Sequence, residues 1–189
     1  MSSVDRPGVS DLVKYLGETD FFRCPASSKF HSNVIGGLVY HSLVVYAVFK
    51  EKLKFYGLTL DKDSIKVIAL LHDLCKANCY KIDYRNKKEG NQWIKEDYWK
   101  FDEELPMGHG DKSIYLASKY IRLTDVEALA IRWHMLWSTD SGNLSLGKAI
   151  DSNPVVVLFA NSDHEASVLY EQSPSKNYPV MKCPFSLED

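Results

Sequence analysis

Residues 64–77, SIKVIALLHDLCKA, read as a helix in which Ile65, Ile68, Ala69, His72 and Cys75 follow the 3.6-residue period and share one face. A histidine followed directly by an aspartate therefore sits on a stripe that is otherwise mostly apolar, and Asp61 or Asp63 is placed to cap the helix. Upstream, Asn33 opens a longer helix over roughly 34–56, with Leu38, His41, Val45, Val48 and Lys52 on one face and Gly57 as its stop. His41 again falls on the apolar side. Imidazoles among apolar side chains are costly unless they have partners, so these histidines are the feature that the rest of the chain has to explain.

Composition sets the frame. The chain has 189 residues, 45% hydrophobic and 12% aromatic, enough to bury one core without staples. A single domain over 1–189 is expected, with its core about 33–172 and an extended tail over 173–189. The net charge is -2, with neither a polybasic arm nor an acidic tail, so no long nucleic acid is expected as partner. The most apolar stretch, 34–49, is shorter than the roughly 20 residues of a bilayer crossing and contains His41, Ser42 and two glycines, so no membrane partner is expected. The start MSSVDRPGVSD lacks an apolar leader, and Cys24, Cys75, Cys79 and Cys183 are read as reduced thiols of a cytoplasmic protein.

The other elements complete an all-α fold with a small β-hairpin insertion around 80–101. Ser10 is placed to cap a short helix over 11–16, and TDFFRCPASSKFHSN is irregular around Pro25. Further helices are expected over 108–121 and 125–137, the second with a capping box of Thr124 and Glu127, and a last one from Asn153-Pro154 to about Glu171. In the hairpin, Tyr80, Tyr84, Trp93, Tyr98 and Trp99 interleave with Lys81, Arg85, Lys87 and Lys88, a mixture able to stack bases and meet phosphates. Residues 80–104 nevertheless hold six basic and seven acidic side chains, poor for a long polyanion. The hairpin is either a structural ribbon, packing on the helices or making a contact in a homo-oligomer, or a flap over a nucleotide site.

Four imidazoles and two carboxylates stand out: His41, the pair His72-Asp73, His109, His134 and Asp163. Taken singly, each histidine reads as a core residue bonded to backbone, and each aspartate as a cap or a solvated charge. Asp163, however, lies in VVVLFANSDHEASVLY, where an unpaired carboxylate is expensive. Imidazole nitrogen and carboxylate oxygen are ligands for zinc, iron, manganese or nickel, and one bound cation centre would explain all six at once.

GGLVYHSLVV at 36–45, LLHDLCK at 70–76, GHGDKS at 108–113, WH at 133–134 and ANSDHEAS at 160–167 together resemble the HD superfamily of metal-dependent phosphohydrolases, in the family's order. SSKFHSNVIGGLVYHS most resembles the HD domain of bacterial 3′-to-5′ exoribonucleases, and the extra histidines resemble two-metal HD phosphodiesterases. The resemblance implies one HD-type helical domain. It further implies that His41, His72, Asp73 and Asp163 hold one divalent ion and that His109 and His134 help hold a second, bridged by Asp73. The ions would be Mn, Fe, Ni, Zn or Mg, and hydrolysis of a phosphate ester would proceed through a metal-activated water with Asp73 and Lys76 as catalytic residues.

Lys76 matches the lysine of the HDxGK-type segment and would hold a substrate phosphate; otherwise it is a snorkelling surface lysine. His31 either contacts that phosphate or lies in a solvated loop. His164 points away from Asp163, Asp111 reads as a charge at a helix N-terminus, and Cys75 and Cys79 read as packing. Met135 follows His134, Cys75 replaces the HDxGK glycine, and neither a GYP signature nor a separate nucleic-acid domain is present, which fits a small stand-alone hydrolase. The implied substrate is a nucleotide or short oligonucleotide. The alternatives are a phosphodiesterase or 3′-to-5′ exonuclease on single-stranded nucleic acid, and a non-catalytic nucleotide-sensing module.

Overall fold

The computed structural model describes residues 1–136, 144–173 and 179–186. The helices are α1 (Val9–Glu18), α2 (Gly37–Phe55), α3 (Lys62–Leu71), α4 (His109–Ser118), α5 (Asp125–Arg132), α6 (Leu144–Ser152) and α7 (Val155–Glu165). Strands β1 (Tyr80–Glu89) and β2 (Gln92–Phe101) form one antiparallel sheet. The expectation of an all-α fold is corrected by that sheet. Its strands pair without interruption from Tyr80 with Phe101 to Glu89 with Gln92, around Gly90 and Asn91, so the fold is mixed α and β.

Helix α2 is the axis of the core. It packs on α3 and α7, α5 packs on both of those, and α4 lies on α5 and on the 3-10 turn Leu74–Lys76. Because α2 is covered on several sides, its buried residues run almost all the way round, with Val44, Val45, Ala47, Val48 and Phe49 all inaccessible. Phe49 meets Phe159 of α7 edge to face, at 5.1 Å between ring centres. A second apolar cluster joins Val4, Leu12, Leu16 and Phe21 to Leu38, Val67, Leu71 and Ala117, so the core reaches well before the expected boundary at residue 33. Among the described residues no helix is long and apolar enough to cross a membrane, and all four cysteines are free.

Several element boundaries move for local reasons. Helix α1 starts after Gly8, so Ser10 lies inside its first turn and is not the cap. Helix α2 starts at Gly37, not at Val34. A Cβ on Gly37 would stand 1.9 Å from the Ser32 carbonyl oxygen, and that close approach folds residues 26–33 back over the start of the helix. Asp61 is the cap of α3, accepting from the N–H groups of Asp63 and Ser64, while the Thr124–Glu127 capping box forms as expected. Asn153 accepts from the N–H of Val155 at 3.0 Å, and α7 runs on into a π-helical turn, Ala166–Tyr170. Helix α6 has no counterpart among the sequence expectations. The expected helix end at Trp137 lies outside the described residues, as do 174–178 and 187–189 of the expected tail. In the described part of that tail, Cys183 and Phe185 pack on the core.

One buried ion pair ties the N-terminal segment to this frame. Arg6 grips the fully buried Glu127 with two hydrogen bonds of 2.8 Å, and the same carboxylate accepts from the Thr124 N–H at 2.8 Å. Burial opposes ionisation of Glu127, but the Arg6 guanidinium outweighs it and holds the carboxyl below its ordinary range. Glu127→Ala is expected to lower stability by about 2 kcal/mol, because it strands a partly buried guanidinium and removes the half of the capping box that the Glu127 carboxylate supplies. Since the folded-state value is depressed, that contribution is complete above the ordinary carboxylate pKa and is lost as pH falls through the folded value. Urea denaturation at neutral and acid pH checks it: a loss below about 1 kcal/mol at neutral pH, or one that grows in acid, would contradict the assignment.

Candidate metal centre

His72 and His134 are placed by the same local device. His72 Nδ1 donates to the Ala69 carbonyl at 2.8 Å, and His134 Nδ1 donates to the Ile131 carbonyl at 2.7 Å. In a continuing helix those carbonyls would accept from residues 73 and 135. The imidazoles take them instead, and α3 and α5 stop at Leu71 and Arg132. Each ring is thereby fixed with Nδ1 as donor and with the lone pair of Nε2 aimed inward. His41, inside α2, reaches the same arrangement through a carboxylate: its Nδ1 donates to Glu171 Oε1 at 2.7 Å.

The inward atoms converge. His41 Nε2 lies 3.2 Å from His72 Nε2, 3.1 Å from Asp163 Oδ1 and 3.6 Å from Asp73 Oδ2. His72 Nε2 is 3.5 Å from Asp73 Oδ2 and 3.8 Å from Asp163 Oδ1, while His134 Nε2 is 3.6 Å from Asp73 Oδ1. Asp73 Oδ1 and His134 Nε2 are buried and, among the described residues, make no hydrogen bond. Buried polar atoms that face one another without a hydrogen bond leave room in their chemistry for a cation between them. The donor set fits: the buried His, Asp and Glu groups can coordinate a metal ion.

Charge at the centre follows from the same contacts. Burial opposes a proton on His41, but Glu171 and Asp163 outweigh it and push its pKa up to about 10. Burial pushes His72 down to about 4 and lowers His109. Burial also opposes charge on His134, yet the Asp73 carboxylate raises it. Asp73, Asp163 and Glu171 are all held low against burial: Asp73 by the Lys76 ammonium and the neighbouring imidazoles, Asp163 first by His41, and Glu171 by His41 and His31.

The six residues read from the sequence are thus grouped around one place. His41, His72, Asp73, His134 and Asp163 form the cluster, and His109, in a trio with Asp73 and Cys75, lies beside it with its ring stacked on His134 at 6.3 Å. Gly110 allows that approach, because a Cβ there would stand 2.3 Å from the Arg132 carbonyl and drive α4 off α5. Lys76 is buried, with Nζ 2.5 Å from Asp73 Oδ2, which removes the surface-lysine reading. His31 is half-buried on the cavity wall, and exposed His164 stands at the rim. Asp111 pairs with Arg132. The cavity above the cluster has a volume of about 440 Å³.

Glu171 was not among the sequence candidates. It is fully buried and accepts from His41 Nδ1, from His31 Nδ1 at 2.9 Å and from Ser32 Oγ at 2.5 Å. Its one signal was position, two turns beyond Asp163 on the helix expected to end near it. No protein-family model, curated protein or solved structure matches this chain.

Carboxylates that orient metal-bound histidines typically govern affinity by 10–100-fold. Glu171→Ala is therefore expected to weaken binding of Mn or Zn by about that factor, read by chelator competition; unchanged affinity would remove Glu171 from the centre. Metal uptake by the wild type is expected to release protons, because the cation displaces the proton on His41. Its apparent affinity then rises with pH from neutrality towards 10, and the opposite slope would contradict the geometry.

Proposed function

We propose that this protein is a metal-dependent phosphohydrolase of the HD type, hydrolysing a phosphate ester of a nucleotide or short oligonucleotide. The observation that carries this reading is the convergence of three imidazole Nε2 atoms and two aspartates beneath an open cavity, with a lysine ammonium in its wall. A purely structural cluster would have its polar atoms satisfied by one another, whereas Asp73 Oδ1 and His134 Nε2 are not.

In this reading His41, His72, Asp73 and Asp163 would hold one cation, and His109 and His134 would help hold a second, with Asp73 shared between them. The two oxygens of Asp73 suit that sharing, since Oδ2 faces His41 and His72 while Oδ1 faces His134. An imidazole-rich set suits Mn, Fe, Ni or Zn better than Mg. When bound, such ions supply Lewis acidity towards the phosphate and bring the pKa of a coordinated water near neutrality.

The chain's own residues do the rest. Asp73, Asp163 and Glu171 place three carboxylates under the cavity, only partly offset by Lys76 and His41, so bound cations would make the cavity more favourable to a phosphate. Lys76 presents a fixed positive charge in the cavity wall, and His31 offers a ring from the opposite loop. A cavity of about 440 Å³ accepts a ligand of nucleotide size.

Asp73→Ala is expected to abolish both tight metal retention and hydrolysis. Elemental analysis, together with turnover of a panel of phosphomonoesters and phosphodiesters, tests this. A metal-loaded wild type that behaves like Asp73→Ala would sink the hydrolase reading.

A further inference from the structure

We infer that a second cavity, beside the one over the metal centre, is a nucleoside subsite. The substrate is then a phosphodiester with a nucleoside on each side of a single phosphate, as in a dinucleoside monophosphate. This inference rests on the phosphohydrolase reading and names its substrate class.

The second cavity, of about 460 Å³, lies between the loop before α2 and the hairpin, with Ser28, Lys29 and Asn33 on one side and Ile82, Asp97 and Trp99 on the other. Ser28 borders both cavities. One aromatic wall also runs through both: Trp99 lines the outer cavity, while Tyr80 and Phe101 line the metal cavity. The ring centres of Trp99 and Tyr80 are 6.5 Å apart, and those of Tyr80 and Phe101 are 5.3 Å apart. Two of its three rings are fastened to the loop, with Trp99 Nε1 donating to the Asn33 carbonyl at 3.1 Å and Tyr80 Oη donating to the Ala26 carbonyl at 3.4 Å. The wall is therefore organised before any ligand arrives. Ile82 lies on the Trp99 face of the hairpin and is 64% exposed, an apolar side chain that contributes little to the core.

Charge decides what this cavity takes. Arg85 is occupied by Glu96, at 2.8 Å from Nε and 2.7 Å from Nη2, and the other two charged groups of the lining, Lys29 and Asp97, are opposite in sign. The lining therefore carries no net charge and suits an uncharged base and sugar better than a second phosphate. The one phosphate belongs over the metal centre, beside Lys76. Hydrolysis there joins the oxygen of water to phosphorus and breaks one phosphorus–oxygen ester bond. The water's proton passes to the departing ribose oxygen, leaving one nucleoside and one nucleoside monophosphate. Base stacking on aromatic and apolar side chains tolerates any base, so the subsite selects for the presence of a second nucleoside and not for its identity.

The test compares kcat/KM of the metal-loaded full chain on a dinucleoside monophosphate with that on a nucleoside methyl phosphate, the same diester lacking the second nucleoside. The ratio is expected to exceed one in the wild type and to fall about tenfold in Ile82→Glu, within the range that stacking of one base contributes. Ile94→Glu, at a hairpin position that lines neither cavity, is expected to keep the wild-type ratio. A general loss of folding lowers both rates and leaves the ratio alone, so an unchanged ratio in Ile82→Glu overturns the subsite. If neither diester is cleaved, the phosphohydrolase reading fails, and the subsite is then judged by tryptophan fluorescence with the uncleaved dinucleoside monophosphate. Saturable quenching that Ile82→Glu weakens supports the subsite, and its absence in the wild type overturns it.

Discussion

Asp73 is a carboxylate buried to 3% exposure, and the structure around it is arranged to make that tolerable. An isolated buried charge would cost several kcal/mol. Lys76 neutralises it from three residues away, which requires the chain to leave the helix after Leu71 and tighten into the turn Leu74–Lys76. The same turn is the surface on which α4 docks, with the Cys75 N–H donating to Ser113 Oγ at 3.0 Å. His72, His134 and His41 surround the remaining faces of the carboxylate, each arriving from a different helix. The packing of α2, α3, α4 and α5 and the chemistry of the centre are therefore one arrangement.

Much of the centre was legible because helical periodicity carries direction. His41 and His72 stood on apolar stripes, Asp163 lay in a helix too apolar to leave a carboxylate unpartnered, and all three point inward. Glu171 was illegible for the complementary reason. It lies beyond the helix end, where period no longer sets direction, and its partners are His31, Ser32 and His41, roughly 130–140 positions away. Long-range pairing of that kind leaves no local pattern.

The fold shows the same division. Caps built from neighbouring residues, Asp61 and the Thr124–Glu127 box, were readable. The start of α2 depends on how closely the Ser32 carbonyl approaches Gly37, a tertiary fact. The ends of α3 and α5 depend on imidazoles competing for helix carbonyls, so an unbroken apolar period ran past the true ends. The hairpin position was visible from alternation and turn residues. Its weight in the fold, two fully paired strands whose base anchors to the loop before α2, was not.

The partnership of Glu171 with His41 and Ser32, reinforced by the Ser32 N–H donating to the Gln172 carbonyl at 2.9 Å, also fixes when the centre can exist. A ribosome that has released residues 1–136 has supplied His41, His72, Asp73, His109 and His134, but neither Asp163 nor the carboxylate that orients His41. The nascent chain holds an incomplete donor set until residue 171 has emerged. A cation that needs all of these groups would bind only once α7 and Glu171 have joined the fold, in contrast to small zinc domains, where the ion nucleates folding.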